Sequence, residues 1–163
     1  MEEPKSPFSV LRYVVREQLR TTSDFYFIQV GANDGVANDP IRPLVKNFHM
    51  KGLLVEPMPD FFERLKTNYL DEPQLVFENC AIGPVDDELS LYRFKPETKL
   101  PHKFFHGMAR FDKGYKETRA KKMRLRDAIE EIKVPSLTFR TLLQKHNVSK
   151  IDLLQIDTEG FDF

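Results

Sequence analysis

From Phe25 to Val30 the chain reads Phe-Tyr-Phe-Ile-Gln-Val, apolar or aromatic at every position except Gln29. A short run that is continuous rather than alternating predicts a strand buried on both faces of a parallel sheet. Gly31 and Gly35 then bracket Ala32-Asn33-Asp34, a tight turn at the strand's carboxyl end where a ligand can approach the backbone closely. Upstream, Phe8, Leu11, Val14, Val15 and Leu19 recur at helical spacing, which predicts an amphipathic helix over 8–20 lying outside the sheet. Residues 1–24 thus form an N-terminal helical extension.

Downstream of the turn, Asp39 and Pro40 suit the cap and first position of a helix, Ile41, Leu44, Val45 and Phe48 supply its apolar stripe, and Gly52 is placed as its stop. Leu53-Leu54-Val55-Glu56 predicts a second strand, Phe61, Phe62, Leu65 and Tyr69 a second crossover helix, and 75–82 a third strand. This β-α-β-α-β order is the half-unit of a doubly wound α/β sheet, with both crossover helices on one face and strand order 3-2-1. Leu89, Leu91, Tyr92 and Phe94 predict a strand of a hairpin or extension. Residues 95–128 read as a loop-rich basic insertion with one helix. Ile129, Ile132, Val134 and Leu137 fit a strand, although Glu130-Glu131 keeps a helix open. Thr138 predicts the cap of a short helix. Residues 151–156 predict a fourth core strand, giving order 3-2-1-4. The sequence ends soon after, at Phe163. So apolar a strand calls for a further neighbour, so the natural protein is expected to continue and the sheet to be incomplete.

Length and composition add bounds. The 163 residues suit a single, partial domain over 1–163, and 40% hydrophobic with 31% charged residues excludes wholesale disorder. No apolar run approaches the roughly 20 residues needed to cross a bilayer, and the first residues do not read as a secretory signal. Cys80 is the only cysteine, which fits a reducing, cytoplasmic compartment. Net charge is zero, yet residues 113–126 hold seven Lys and Arg against Glu117 alone, leaving the rest of the chain acidic. Such a cluster is either a solvated helix face or the seat of an anionic partner. Nucleic acid is disfavoured, because only Tyr115 interleaves the cations as a stacking residue.

Candidate chemistry concentrates at strand ends. Glu56 lies 21 residues beyond Gly35, where an acid in a doubly wound fold reaches the ribose hydroxyls of a nucleoside. The turn spacing is G-x-x-x-G, without the third glycine of a dinucleotide site, and Asp34 would face a pyrophosphate unfavourably. A nicotinamide oxidoreductase is disfavoured on that ground. A cofactor without phosphate and with a cationic sulfonium, S-adenosylmethionine, fits better.

Val30-Gly31-Ala32-Asn33-Asp34-Gly35, Val55-Glu56-Pro57, Asn79-Cys80-Ala81-Ile82-Gly83 and Ile151-Asp152-Leu153-Leu154-Gln155-Ile156-Asp157-Thr158-Glu159-Gly160 together resemble the FkbM-type class I methyltransferases. The resemblance implies a Rossmann-like sheet, here incomplete relative to seven strands, that binds S-adenosylmethionine and O-methylates sugars or other hydroxylated metabolites. It places the methionine end over Gly31, Ala32, Asn33, Asp34 and Gly35, the ribose at Glu56 beside Pro57, the adenine between Cys80 and Ala81, and Asp157 by the methyl-transfer centre. Gln29 and Gln155 depart from it, standing where an acid and a lysine are usual. Asp157 facing the site, Glu159 steadying the turn, and His106 or His102 as general base complete the expected site. Asp157 could ligate a divalent ion, but no cluster of further ligands accompanies it, so no metal is expected. The expected partner is a hydroxylated small molecule, possibly anionic, with self-association through the fourth-strand edge open. The competing reading is a non-catalytic S-adenosylmethionine-binding or scaffolding domain of the same fold.

Overall fold

β1 (Tyr26–Val30) and β2 (Lys51–Val55) are the two most buried strands, and they take the middle of the larger sheet. A computed structural model of the protein describes residues 10–37, 39–125 and 127–158, the side chains of 103 and 104 excepted. β3 (Leu75–Glu78) flanks β2, and β7 (Leu153–Ile156) flanks β1, giving order β3-β2-β1-β7 with every pairing parallel. This is the expected 3-2-1-4 order of a Rossmann-like α/β fold. Phe27 and Leu54 face a layer made by α1 (Val10–Thr21), α2 (Arg42–Phe48) and α3 (Pro59–Asn68), where they meet Val15, Leu44 and Leu65. Ile28, Val30, Leu53 and Val55 face the other way, onto Leu142 of α5 (Phe139–Lys145). Phe27, Ile28, Leu53, Leu54 and Val55 are all fully buried, at about 1.5–3 kcal/mol of stabilisation each.

Three local expectations are corrected. The helix after the turn starts at Arg42, not at Pro40: Asp39 Oδ1 accepts from the backbone N–H groups of Ile41 (2.8 Å) and Arg42 (3.2 Å) as a side-chain turn ahead of it. Gly52 is no helix stop. The helix closes on His49 in the left-handed region (φ 48°), and Gly52 lies in β2 opposite Phe27, whose ring fills the space a Cβ would need. The third strand is not continuous over 75–82. It breaks after Glu78, where Asn79 turns inward to donate from Nδ2 to the carbonyls of Glu56 (2.7 Å) and Pro57 (3.1 Å).

Past that break β4 (Ala81–Ile82) joins a second sheet with β5 (Asp87–Phe94) and β6 (Ile129–Leu137), in order β4-β6-β5. Residues 129–137 are therefore strand, antiparallel to β5 with Leu91 opposite Ile132 and Leu89 opposite Val134. Thr138 caps α5 as expected, its hydroxyl accepting from Thr141 N–H at 3.1 Å. Between β5 and β6 run a 3-10 helix (Lys103–Gly107) and α4 (Lys113–Lys122), the latter capped by Asp112. Lys116 of α4 is turned inward, donating to the Met108 carbonyl and lying 5.0 Å from the centre of the Phe94 ring. It belongs to the packing of the insertion rather than to a solvated basic face. Phe8 and the start of its helix lie outside the described residues. Among the described residues no helix is long and apolar enough to cross a membrane.

Candidate functional site

The carboxyl ends of β1, β2 and β7 meet at the glycine turn. Gly31 and Ala32 both donate to the Val55 carbonyl (2.9 and 3.0 Å), and Asp157 N–H donates to that of Val30 (2.9 Å). These bonds bring Asp157 over Gly31, which adopts φ +81° and whose missing Cβ would otherwise strike the Asp157 carbonyl. Only glycine satisfies both the left-handed backbone and this close approach. Asn33, also left-handed at φ 52°, folds its side chain back to accept from Asp34 N–H (2.7 Å) and reaches the Gly107 carbonyl at 3.3 Å. Asp34 Oδ1 in turn accepts from Val36 and Ala37, both at 2.9 Å. The turn is thus rigid before any ligand arrives.

Glu56 follows β2 and points its carboxylate under this turn. Oε2 accepts from Asn33 N–H at 2.8 Å, and Oε1 from Met58 N–H at 2.9 Å. The residue is 6% exposed. Burial pushes its carboxyl up to about 7, against the pull of those two backbone donors. Each oxygen keeps lone-pair capacity, so the carboxylate can still accept from a diol. Cys80 is buried beside it, free, and its thiol is pushed up to about 12 by burial. It is an apolar wall residue, not a nucleophile.

These groups line one cavity of about 720 Å³, within the roughly 300–1,000 Å³ usual for small-molecule sites. Gly31, Ala32, Asn33, Asp34, Glu56, Pro57, Cys80, Ala81, Asp157, His102 and His106 all contribute to its wall. Gly35 does not. It stands behind the turn at φ +69°, where a Cβ would lie 2.6 Å from both Leu65 of α3 and Tyr69 just past its end. Glu159 lies outside the described residues. Among those described, no cluster of three or more His, Cys, Asp or Glu is placed to hold a metal ion.

Some of the wall was not foreseen. Gln29 and Gln155 sit opposite one another on β1 and β7, and the side-chain oxygen of each is buried without a hydrogen-bond partner. Gln29 Nε2 is tied to Asp39 Oδ1 at 3.1 Å, which fixes how the amide points. His106, the expected base, has its Nδ1 likewise buried and unpartnered. All three residues border the cavity. Phe61, Leu91, Phe94 and Phe111 close its far side. The polar residues inside β1 and β7 were the available signal for the first group, since a Gln in an otherwise apolar buried strand needs a partner. No sequence signal marks the aromatic side, which depends on how the second sheet folds over α3.

Residues 29–163 match the family model for the methyltransferase FkbM domain. Searches of curated proteins and of solved structures gave no match. With four-fifths of its length under that model, and with the parallel sheet and strand-end cavity in place, the chain belongs to the FkbM methyltransferase domain family.

Proposed function

We propose that this protein is an S-adenosylmethionine-dependent methyltransferase directed at a hydroxyl oxygen of a small acceptor. The observation that carries the reading is the pairing of the Gly31–Asp34 turn with the buried Glu56 carboxylate on one cavity wall. The donor set fits an adenosyl sulfonium. Glu56 can accept from both ribose hydroxyls, and the unpartnered oxygens of Gln29 and Gln155 suit a group that only donates, such as an ammonium. Asp34, Asp39, Glu56, Asp60 and Asp157 outnumber Arg64 and Arg93 along the wall, which favours a cationic ligand over a pyrophosphate.

When bound, the donor would supply an electrophilic sulfonium methyl group for transfer to the acceptor oxygen, with the sulfur as leaving group. The protein's part is to position the two and to take the hydroxyl proton. His106 borders the cavity with Nδ1 unpartnered, so it is the group we assign to receive that proton. Asp157, placed over Gly31 by its bond to Val30, holds the transfer centre from the β7 side. The 3-10 helix touches the turn through the Gly107 carbonyl, which accepts from Asn33. The one cysteine, free and buried, supports a reducing and hence cytoplasmic setting.

Calorimetry with S-adenosylhomocysteine tests the site. Binding to the protein and a loss of at least about tenfold in Glu56→Ala, some 1.4 kcal/mol or more, are expected. Equal affinity in both, or binding in neither, would sink the assignment. Binding without methyl transfer to any hydroxylated acceptor would instead favour a non-catalytic binding domain.

A further inference from the structure

The acceptor's chemical class follows from the side of the cavity that the sequence left blank. The second sheet, the segment between β5 and α4, and Phe61 of α3 build that side, with Leu91, Phe94, Met108, Ala109 and Phe111. Leu91 and Phe94 are almost fully buried, and Phe61 is 7% exposed. One of the two arginines on this side is already matched. Arg93 donates to Asp60 at 2.6 Å and to Glu130 at 2.7 Å, so it reaches the cavity as a compensated ion. Arg64 stacks over the Phe61 ring, 4.9 Å from its centre.

The basic cluster that first pointed to an anionic acceptor is turned away. No described residue of 113–125 lines the cavity. Lys116 is engaged with the Met108 carbonyl and the Phe94 ring, Arg119 lies over the Phe105 ring at 5.0 Å, and Lys113 pairs with Glu117 at 3.7 Å. A buried anion here would meet a surplus of carboxylates, Arg93 already shared by two of them, and Arg64 held at an exposed position over the Phe61 ring, and burying a charge without a partner is prohibitive. A cationic acceptor would bury its charge against this aromatic and aliphatic side, whose carboxylate Asp60 is already paired with Arg93. A sugar would bring several hydroxyls against a side built chiefly of aromatic and aliphatic side chains.

We propose, resting on the methyltransferase reading above, that the acceptor is a neutral molecule with an apolar, aromatic-sized body carrying one hydroxyl toward His106. The aromatic and aliphatic side chains hold the body, and His106 takes the proton of the single hydroxyl. The basic cluster has no part in acceptor binding.

The test uses para-propylphenol, its cationic counterpart tyramine, its anionic counterpart para-hydroxyphenylacetate, and methyl glucoside. Each is titrated by ligand-observed magnetic resonance into protein saturated with S-adenosylhomocysteine, whose own binding is measured first by calorimetry. We expect para-propylphenol to bind at least about tenfold more tightly than the other three, a difference near 1.4 kcal/mol. Met108→Glu is expected to weaken it by a similar factor while leaving S-adenosylhomocysteine affinity unchanged. The double reversal Lys121→Glu/Lys122→Glu is expected to change neither. Preference for the anionic, cationic or sugar probe, no probe binding at all, or sensitivity to the lysine reversal would overturn the proposal even with the donor site intact. Failure of the protein to bind S-adenosylhomocysteine would overturn the reading on which it rests. The comparison among probes needs only the unmodified protein, so an unfolded variant does not decide it.

Discussion

Glu56 is held at a tension that solution experiments can read. Its carboxyl ordinarily titrates near 4.5, and burial raises it to about 7 in the folded protein. Between those values the native state holds a proton that the unfolded chain has released. Glu56 therefore contributes stability that is fully present below about 4.5 and is lost as pH rises through 7. The swing is on the order of 3 kcal/mol. Urea unfolding of the wild type and of Glu56→Gln should show it: the variant is less stable overall, but the gap between the two narrows as pH rises across this window. A gap that widens with pH would contradict the burial of Glu56. Donor binding should have the opposite dependence, strengthening as Glu56 ionises to accept from the ribose. Gly31 makes a second residue-scale prediction. Gly31→Ala places a Cβ against the Asp157 carbonyl at a positive φ, and should destabilise by about 2–3 kcal/mol or more in chemical denaturation.

At the scale of elements, the sequence was legible where one local rule decided the outcome. β1 and β2 announced themselves because a buried parallel strand must be apolar throughout, and α5 because Thr138 offers its hydroxyl to a free N–H. Thr138→Ala should accordingly cost about 1 kcal/mol, measured by thermal or urea unfolding. Legibility failed where a distant residue decided. Gly52 looks like a helix stop until Phe27 is seen across the sheet, and His49 takes the left-handed position that a glycine usually fills. The split of 75–82 between two sheets depends on Asn79 bonding the backbone after Glu56, a contact across 23 residues. The Asp60–Arg93–Glu130 link, which ties α3 to the antiparallel β5–β6 pair, has no local signature either. Arg93 is buried but the two carboxylates it would leave are 37% and 31% exposed, so Arg93→Met should cost only about 1–2 kcal/mol. It should also loosen the apolar side of the cavity, read as faster hydrogen exchange in β5.

Over the whole molecule, charge and shape divide the labour. The strand ends of the larger sheet give a polar, acid-rich surface suited to a nucleoside with a positive centre. The smaller sheet and the insertion give an apolar surface facing it. The first surface could be anticipated, since glycine turns and strand-end acids sit at fixed offsets from recognisable strands. The second could not, because zero net charge hid both the acidic lining and the outward turn of the basic helix. β7 lies at the sheet edge with Leu154 and Ile156 43% and 45% exposed, and it carries Asp157 into the cavity wall from there. The central claim is that an adenosyl sulfonium donor occupies the glycine turn, and a crystal structure with S-adenosylhomocysteine tests it most directly. The expected result is density across the Gly31–Asp34 turn with the ribose hydroxyls on the Glu56 carboxylate and the amino-acid end toward Gln29 and Gln155. Density for the nucleoside away from Glu56, or an ordered dinucleotide in its place, would contradict the account.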